Sequence, residues 1–560
     1  MAPSGMQRRL LAGPRRRGTA TRPRDGDVHL HSPLNAEGER RRSALRIVGR
    51  DVGALQVLLS VGMLLSLLVS LLYGEVHSAL SFLGAAAVTA AFGALAHRAG
   101  RDADEPKRRH AMIIAGGGWF VSAVFGALPF LFAAYWTPPE VAQGFVPAGE
   151  SYGSSLAYFR NPLHALFESM SAYTTTGLTM AVHEPSIGHG LLFYRSLAQW
   201  IGGAGVIVLS LAIIPRPHVV GELELYQSEA AGTKLRPSIL GTARAIWKVY
   251  SVVTLLVAVY LFAATLIVLP GYGVGPSLFD AVNHAMTAQS TGGFSTLDDS
   301  IAGYRSYAMD LVHVPPMVLG AISLPLYYAF LRARSLRVFW RDAQFRTMIL
   351  VFGITIPAQV LLLVGAEAVA DPFREGLFQV VSAVSTTGWQ TSNIGAWDDA
   401  AVMLLAWGTM ITGGAAGATV GGIKLIRAYL LLGAARWRIR KVFLPGDAVI
   451  PFRLGDRNLP SEAMQREVTD ASVFTFLYLL VLGVATILVS HYVGGDFSLA
   501  DVIFECVSAQ STVGLSSGIT DPGMPIVVEI VFIFQMWVGR LEIFPVLVLL
   551  SALLSWMLRR

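Results

Sequence analysis

Apolar residues gather along this chain in runs too long and too unbroken for a water-soluble fold. A membrane-spanning helix needs about 20 mostly apolar residues. Ten windows meet that requirement: 52–73, 77–97, 111–135, 190–214, 246–270, 307–331, 347–370, 400–430, 470–493 and 525–556. Shorter semi-apolar stretches of 10–13 residues lie between the third and fourth windows, the fifth and sixth, the seventh and eighth, and the ninth and tenth. They are too short to cross, and each runs into small hydroxylated residues. They predict half-helices that dip in from one side and return as extended backbone, which membrane interiors tolerate only where it is buried or lines a watery path. The predicted fold is an all-α polytopic membrane protein with four pseudo-symmetric helix–pore-loop–helix units around one ion pathway, preceded by two extra N-terminal transmembrane helices. The expected divisions are a basic disordered tail at 1–50, the two N-terminal helices at 51–109, and units at 110–220, 221–335, 336–445 and 446–560.

The four short stretches align without gaps: "FESMSAYTTTGLT" from Phe167, "NHAMTAQSTGGFS" from Asn283, "FQVVSAVSTTGWQ" from Phe378 and "FECVSAQSTVGLS" from Phe504. A Ser or Thr followed by Ala recurs at 171–172, 287–288, 382–383 and 508–509. Four candidate filter segments follow: Thr174, Thr175, Thr176 and Gly177; Ser290, Thr291, Gly292 and Gly293; Ser385, Thr386, Thr387 and Gly388; Ser511, Thr512, Val513 and Gly514. Threonine stands two residues before the shared glycine in all four. Close helix packing through small residues accounts for one or two such stretches but not for four in register. Four extended turns supply rings of carbonyl oxygens that can replace the water shell of a cation, with hydroxyl oxygens just below. The glycine admits positive φ, and the half-helix C-termini turn partial negative charge toward the path.

A second register follows the first. Glycine recurs 25, 27, 25 and 25 residues beyond the four filter glycines, at Gly202, Gly320, Gly413 and Gly539. The next residues are Gly203, Ala321, Gly414 and Arg540. An arginine at membrane depth is costly and is by default a functional hypothesis. Arg540 is expected to face the axis below the filter and discourage tight cation binding; its structural alternative is pairing with Glu542 or with helix-end carbonyls. In the third unit the second helix is interrupted by "TGGAAGATVGG" at 412–422. Its five glycines each cost a helix interior about 1 kcal/mol relative to alanine. The segment is therefore expected to be a loop inside the membrane, and a candidate gate, with Gly413, Gly414, Gly417, Gly421, Gly422 and the following Lys424 as its residues.

Charge orients this arrangement. Basic clusters follow the second, fourth, sixth and eighth windows, among them Arg98–Arg109, Arg216–Lys248, Arg332–Arg346 and Arg436–Arg457, while the opposite loops carry Glu140, Glu150, Asp280, Asp298, Asp299, Asp371, Asp398, Asp399, Asp496 and Asp521. By the positive-inside rule both termini are expected to be cytoplasmic, and the acidic outer face draws cations. Composition agrees: of 560 residues 53% are hydrophobic and 14% charged, against about 25% charged in ordinary soluble chains. The Arg-rich tail reads as a topology signal rather than a nucleic-acid ligand, so no nucleic-acid partner is expected. The single cysteine, Cys506, excludes an intrachain disulfide and reads as a small core residue.

These motifs together are specific. The four filter segments, "QWIGGAGVIVLSLAIIP" at 199–215, "GGAAGATVGGIKLIR" at 413–427 and "GRLEIFPVLVL" at 539–549 resemble the Trk/Ktr/HKT superfamily of potassium-translocating subunits, and look most like its TrkH/TrkG branch. The resemblance covers roughly 50–558, and the two extra N-terminal helices fit that branch. It implies K+ as the transported ion with no organic cofactor in this chain. It further implies a homodimer in the plasma (inner) membrane and a cytosolic TrkA-like regulatory subunit that binds nucleotides and acts on the intramembrane loop. Glycine at all four filter positions is the family's potassium pattern; serine at the first accompanies sodium permeation. Ala415, Ala418 and Val420 replace the Cys, Ser and Gly common in the family's loop, and Val420 is expected to stiffen it.

The expected function is potassium uptake through a channel-like, potential-driven pore gated by the glycine-rich loop. The alternative is a symporter coupling potassium to proton or sodium, which needs a titratable residue in the path. Glu168 and Glu505 hold equivalent half-helix positions but are better placed to cap or orient the filter. An enzyme is not expected: there is no GxxxxGK[ST] phosphate loop, and His164, His284 and His313 read as scattered.

Overall fold

The computed structural model describes residues 33–213, 239–366, 368–445, 452–454, 457–459 and 461–558. The basic positions Arg216, Lys234 and Arg236, the 220/221 division and the first 32 residues lie outside this set. The first helix begins at Pro33, inside the stretch expected as a disordered tail, so 33–50 is helical.

Among the described residues six helices are long and apolar enough to cross a membrane unbroken: Arg42–Leu72, Val76–Ala99, Arg108–Trp136, Ala243–Val268, Ala343–Leu363 and Glu462–Asp496. Two further windows are met by bent pairs. Tyr307–Ala321 and Leu324–Ala333 meet at 93°, and Ile526–Arg540 and Phe544–Leu558 at 116°. The remaining two are the helix His189–Ile213 and a broken helix in the third unit. That one runs from Asp399 to Leu405, passes through a π-turn at Ala406–Met410, and resumes only at Leu425–Val442. The sequence pattern predicted the interruption in unit 3 but not those in units 2 and 4. All three breaks fall at or just beyond the second glycine register. The one strand pairing among the described residues is the short ribbon Phe452–Leu454 with Arg457–Leu459.

Inside the ring of spans stand the four half-helices: Pro162–Thr174, Val274–Gln289, Pro372–Val384 and Leu499–Gln510. Thirteen residues at about 1.5 Å each reach only some 20 Å, short of the roughly 30 Å hydrocarbon core. Their starts are written in the sequence. Asn161 and Asp371 accept from Leu163 N and Arg374 N with proline at the next position, and Ser498 forms a capping box with Asp501. The half-helices are the true core: Phe167, Phe378 and Phe504 are fully buried, as are Ser171, Thr287, Ser382 and Ser508. The spans turn large aliphatic side chains such as Leu256, Leu361 and Ile487 outward, the arrangement a lipid surround favours.

Candidate functional site

Each half-helix ends in the same way. Thr175, Thr291, Thr386 and Thr512 take left-handed backbone angles, with φ of 54°, 51°, 53° and 51°. A β-branched residue in that region is a genuine outlier. Each is fixed by a paired cap in which its own N–H donates to the alanine carbonyl three residues back and the next N–H to the Ser/Thr carbonyl five back. The second bond is Thr176 to Ser171, Gly292 to Thr287, Thr387 to Ser382 and Val513 to Ser508, at 2.8–2.9 Å. The recurring Ser/Thr-Ala pair therefore supplies the two carbonyls that anchor the turn, a role its spacing alone did not disclose. In units 1 and 4 the serine hydroxyl also accepts from the filter glycine, Gly177 N at 3.0 Å and Gly514 N at 3.1 Å.

The four glycines follow with φ of 98°, 76°, 84° and 93°. A β-carbon on Gly177 would lie 2.4 Å from Gly292 O; on Gly293, 2.0 Å from Thr387 O; on Gly388, 1.9 Å from Val513 O; on Gly514, 2.1 Å from Thr176 O. Each glycine thus abuts the carbonyl one residue before the glycine of the next unit, and the order 1, 2, 3, 4, 1 closes on itself. All sixteen filter positions named from the sequence belong to these four turns.

The hydroxyls divide. The four Ser/Thr residues three before the glycine bond to their own surroundings: Thr174 to Met170 O and the Thr176 hydroxyl, Ser290 to Thr287 O, Ser385 to Ser382 O and the Thr387 hydroxyl, Ser511 to the Tyr478 hydroxyl. Their hydrogens are thus committed, which leaves only oxygen lone pairs for any further contact. One residue on, the hydroxyls of Thr175, Thr386 and Thr512 are buried without a partner, and that of Thr291 bonds to Ser290 O and Thr419. Buried hydroxyls nearly always have partners, and these three, at equivalent positions, have none among the described residues.

Below them lies the glycine-rich loop. Thr419 Oγ1 bonds to Gln289 O at 3.1 Å and approaches the Thr291 hydroxyl at 3.2 Å. A β-carbon on Gly421 would strike Ser511 O and Thr512 Oγ1, and one on Gly413 would press on the Thr386 methyl at 3.0 Å. The loop therefore touches the filter bases of units 2, 3 and 4. It is also tied to the break in unit 2, where Ala415 N donates to Ala321 O and Leu324 N to Gly417 O. Across the loop's neck Gly414 O accepts from Leu425 N and Ile411 O from Ile423 N, and a β-carbon on Gly422 would meet Ile411 O. Val420 is buried, with its side chain against Gly414.

Arg540 does not stand free on the axis. Its guanidinium donates to Thr419 O in the loop and to Gly202 O at 3.1 Å and Gly203 O at 3.3 Å in unit 1. Glu542 is engaged elsewhere, 2.6 Å from Lys424 Nζ and 2.5 Å from Arg427 Nη2. The pairing expected as an alternative for Arg540 is thus with carbonyls, not with Glu542. The positive φ of Glu542 and Ile543, 56° and 64°, is backbone strain that the ion pairs and the bend hold in place.

Several contributors gave no sequence signal beyond their motif. Gln199 donates to Gly292 O at 2.6 Å and accepts from Phe294 N at 3.3 Å, bracketing the second filter glycine from unit 1. Its amide occupies the space of a β-carbon on Gly292, which explains a glycine where the other units have Thr or Val. The histidines are not all scattered, as they had read: His284 and His313 meet edge to face at 5.4 Å, and both pack on Trp389, while His164 bonds to Glu529 at 2.9 Å. Among the described residues no group of three His, Cys, Asp or Glu could hold a metal.

The loop 136–160, unassigned from sequence, packs on the segments that follow two of the turns. Tyr152 stacks on His183 at 3.6 Å and donates to Asp298 at 2.8 Å, joining the loops after filters 1 and 2. Beside it Glu184 is buried, and that burial pushes its carboxyl up from 4.5 to about 8, with the nearby Arg195 opposing. A carboxyl raised in the fold makes its full contribution to stability below its unfolded value, and loses it as pH rises through the folded value. Thermal stability is therefore expected to fall between about pH 4.5 and 8 in wild type, and Glu184→Gln to flatten that dependence. A thermal-shift series in detergent over this range checks it; identical slopes in the two proteins would contradict it.

Four buried turns converging on one axis, wrapped by apolar helices, define a polytopic membrane protein that moves small cations rather than an enzyme. The TrkH family model, described as a cation transport protein, matches residues 110–556, and the chain belongs to that family. It is 32% identical over 520 residues to the Trk system potassium uptake protein TrkH of Escherichia coli, covering 90% of this chain and 98% of that one. It is 30% identical over 502 residues to an uncharacterized cation transporter of Methanocaldococcus jannaschii, covering 90% and 94%. The crystal structure of the potassium transporter TrkH from Vibrio parahaemolyticus superposes with a TM-score of 0.72 at 30% identity, over 90% of this chain and 98% of that one.

Proposed function

We propose that this protein takes up potassium across the plasma membrane through a filter made by its four turns, channel-like and driven by membrane potential. The observation that carries this reading is the closed cycle of glycine-to-carbonyl contacts, because it sets four equivalent backbone oxygens around one line. Such a ring replaces a cation's hydration shell without a net charge that would trap it. An inside-negative potential supplies about 2.3 kcal/mol per charge per 100 mV, sufficient for accumulation without a second driving ion. The loop 412–422, under the filter and held by Arg540, is the gate; Gly413, Gly414, Gly417, Gly421 and Gly422 let it change course, and Lys424 couples it to the unit 4 bend through Glu542. Control by a cytosolic nucleotide-binding TrkA-like subunit and assembly as a homodimer with both termini cytoplasmic complete the proposal, on the strength of the family. Symport with proton or sodium is less well supported, because Glu168 and Glu505 bond to the limbs behind the filter rather than standing in the path.

The test is ion flux in liposomes containing the purified protein. Potassium flux that persists with no proton or sodium gradient supports the pore; flux only when such a gradient is imposed supports symport; no potassium flux under any gradient rejects both.

A further inference from the structure

Nine residues before each filter glycine stands a fully buried polar side chain: Glu168, His284, Gln379 and Glu505. Although their chemistry differs, all four reach for the same place, the second and third residues beyond the glycine. Glu168 accepts from the Thr179 hydroxyl at 3.0 Å and Met180 N at 2.8 Å. His284 Nε2 contacts the Ser295 hydroxyl at 3.2 Å and accepts from Thr296 N at 3.4 Å. Gln379 donates to the Thr391 hydroxyl at 3.3 Å. Glu505 accepts from the Ser516 hydroxyl and Ser517 N, both at 2.8 Å, and from the Thr520 hydroxyl and N–H at 2.5 and 3.2 Å. Each bond set spans the turn from its half-helix to its ascending limb.

The turn is thereby held at two ends. The helix-terminal cap fixes its base, and this side chain fixes its top, with the left-handed threonine and the glycine between them. Backbone held in a sparsely populated region persists only where its surroundings over-determine it. With both ends fixed, the direction and depth of the intervening carbonyls are fixed as well.

The four straps are unequal. Glu168 is paired with Arg195 at 2.7 Å, and that guanidinium also donates to Thr179 at 2.9 Å and lies 4.0 Å over the Phe294 ring. Glu505 is held by hydroxyl and backbone donors alone, with no ion pair among the described residues. Gln379 makes a single bond and its carbonyl oxygen has no partner.

We propose that Glu168, His284, Gln379 and Glu505 are positioning residues for ion selectivity, which set the spacing of the filter carbonyls from behind, with Glu505 the strongest of them. This rests on the filter reading above. Glutamate, histidine and glutamine each serve in their own unit because their polar atoms match the donors and acceptors of the limb they reach; at Glu505 those are donors alone.

The test is the ratio of potassium to sodium flux in liposomes, measured on protein that elutes as a single folded species. A merely structural role would change the yield of folded protein and leave that ratio alone. Glu505→Gln keeps the shape but turns an amide NH2 toward N–H donors, and is expected to lower the ratio about fivefold, the equivalent of one hydrogen bond. His284→Leu is expected to lower it as well. His284→Gln, which gives unit 2 the residue that unit 3 carries, is expected to bring the ratio back toward wild type. A wild-type ratio in folded Glu505→Gln and in folded His284→Leu overturns the proposal while leaving the filter reading intact; if the Glu505 variant does not fold, His284→Leu alone decides. A wild-type protein with no preference for potassium overturns both.

Discussion

Gly388→Ala is expected to cost at least about tenfold in potassium-over-sodium preference, roughly 1.4 kcal/mol of discrimination, or to eliminate potassium flux. Two independent penalties coincide there. With φ at +84° any side chain is strained, and the β-carbon would sit 1.9 Å from Val513 O. The obstructing atom is backbone in the neighbouring turn, not the end of a flexible side chain, so relief requires that turn to move. Gly177→Ser acts in the same direction, but its nearest carbonyl is 2.4 Å away and the expected loss is smaller. Because each glycine abuts the following unit, damage at Gly388 is expected at the carbonyl of Val513 rather than in unit 3 itself. Paired flux assays with potassium and sodium check this. Unchanged preference in folded Gly388→Ala would count against the filter assignment.

The second large effect concerns the loop. Deleting 413–421 is expected to raise potassium flux in the absence of any partner, because the contacts of Thr419 and Gly421 against the filter bases disappear with it. Arg540→Ala is expected to do the same less completely. Arg540 makes three bonds to carbonyls, and hydrogen bonds to a charged group contribute about 1.5–3 kcal/mol each, so releasing even one shifts the closed-to-open balance by one to two orders of magnitude. Single-channel or liposome flux measurements distinguish the outcomes. Reduced flux from correctly folded deletion protein would mean that the segment holds the helices together instead of closing the path.

Much of this was legible in the chain because the relevant physics repeats. Four half-helices were visible as apolar runs too short to span, and their alignment located the positive-φ glycine of each turn. The break in unit 3 was visible because five glycines in eleven residues oppose helix. The breaks in units 2 and 4 were not, because neither "LGAISLPL" nor "GRLEIFPV" lacks apolar residues. Those bends are imposed by what packs on them: Ala415 and Gly417 exchange bonds with Ala321 and Leu324, and Lys424 and Arg427 draw in Glu542. The left-handed threonines were hidden for a related reason. Local preference argues against that conformation, and only the paired cap and the strap above it make it the lower-energy choice. Gln199 and the Tyr152–Asp298 contact depend on pairings across 93 and 146 residues, a separation at which one sequence carries no pattern.

Arg540 occupies one of four equivalent positions, the others being Gly203, Ala321 and Gly414. A ring assembled from four identical chains could place four arginines at that level or none. Four would crowd four positive charges together at one buried level; none would leave the loop without its fastening. Joining the four quarters in a single polypeptide removes that dilemma, since each quarter can diverge alone. Here one quarter carries the guanidinium, a second provides the loop it fastens, a third offers Gly202 and Gly203 as its anchorage, and the remaining one is bent to receive the loop. In the gate proposed above, this departure from symmetry is what lets a symmetric opening be shut.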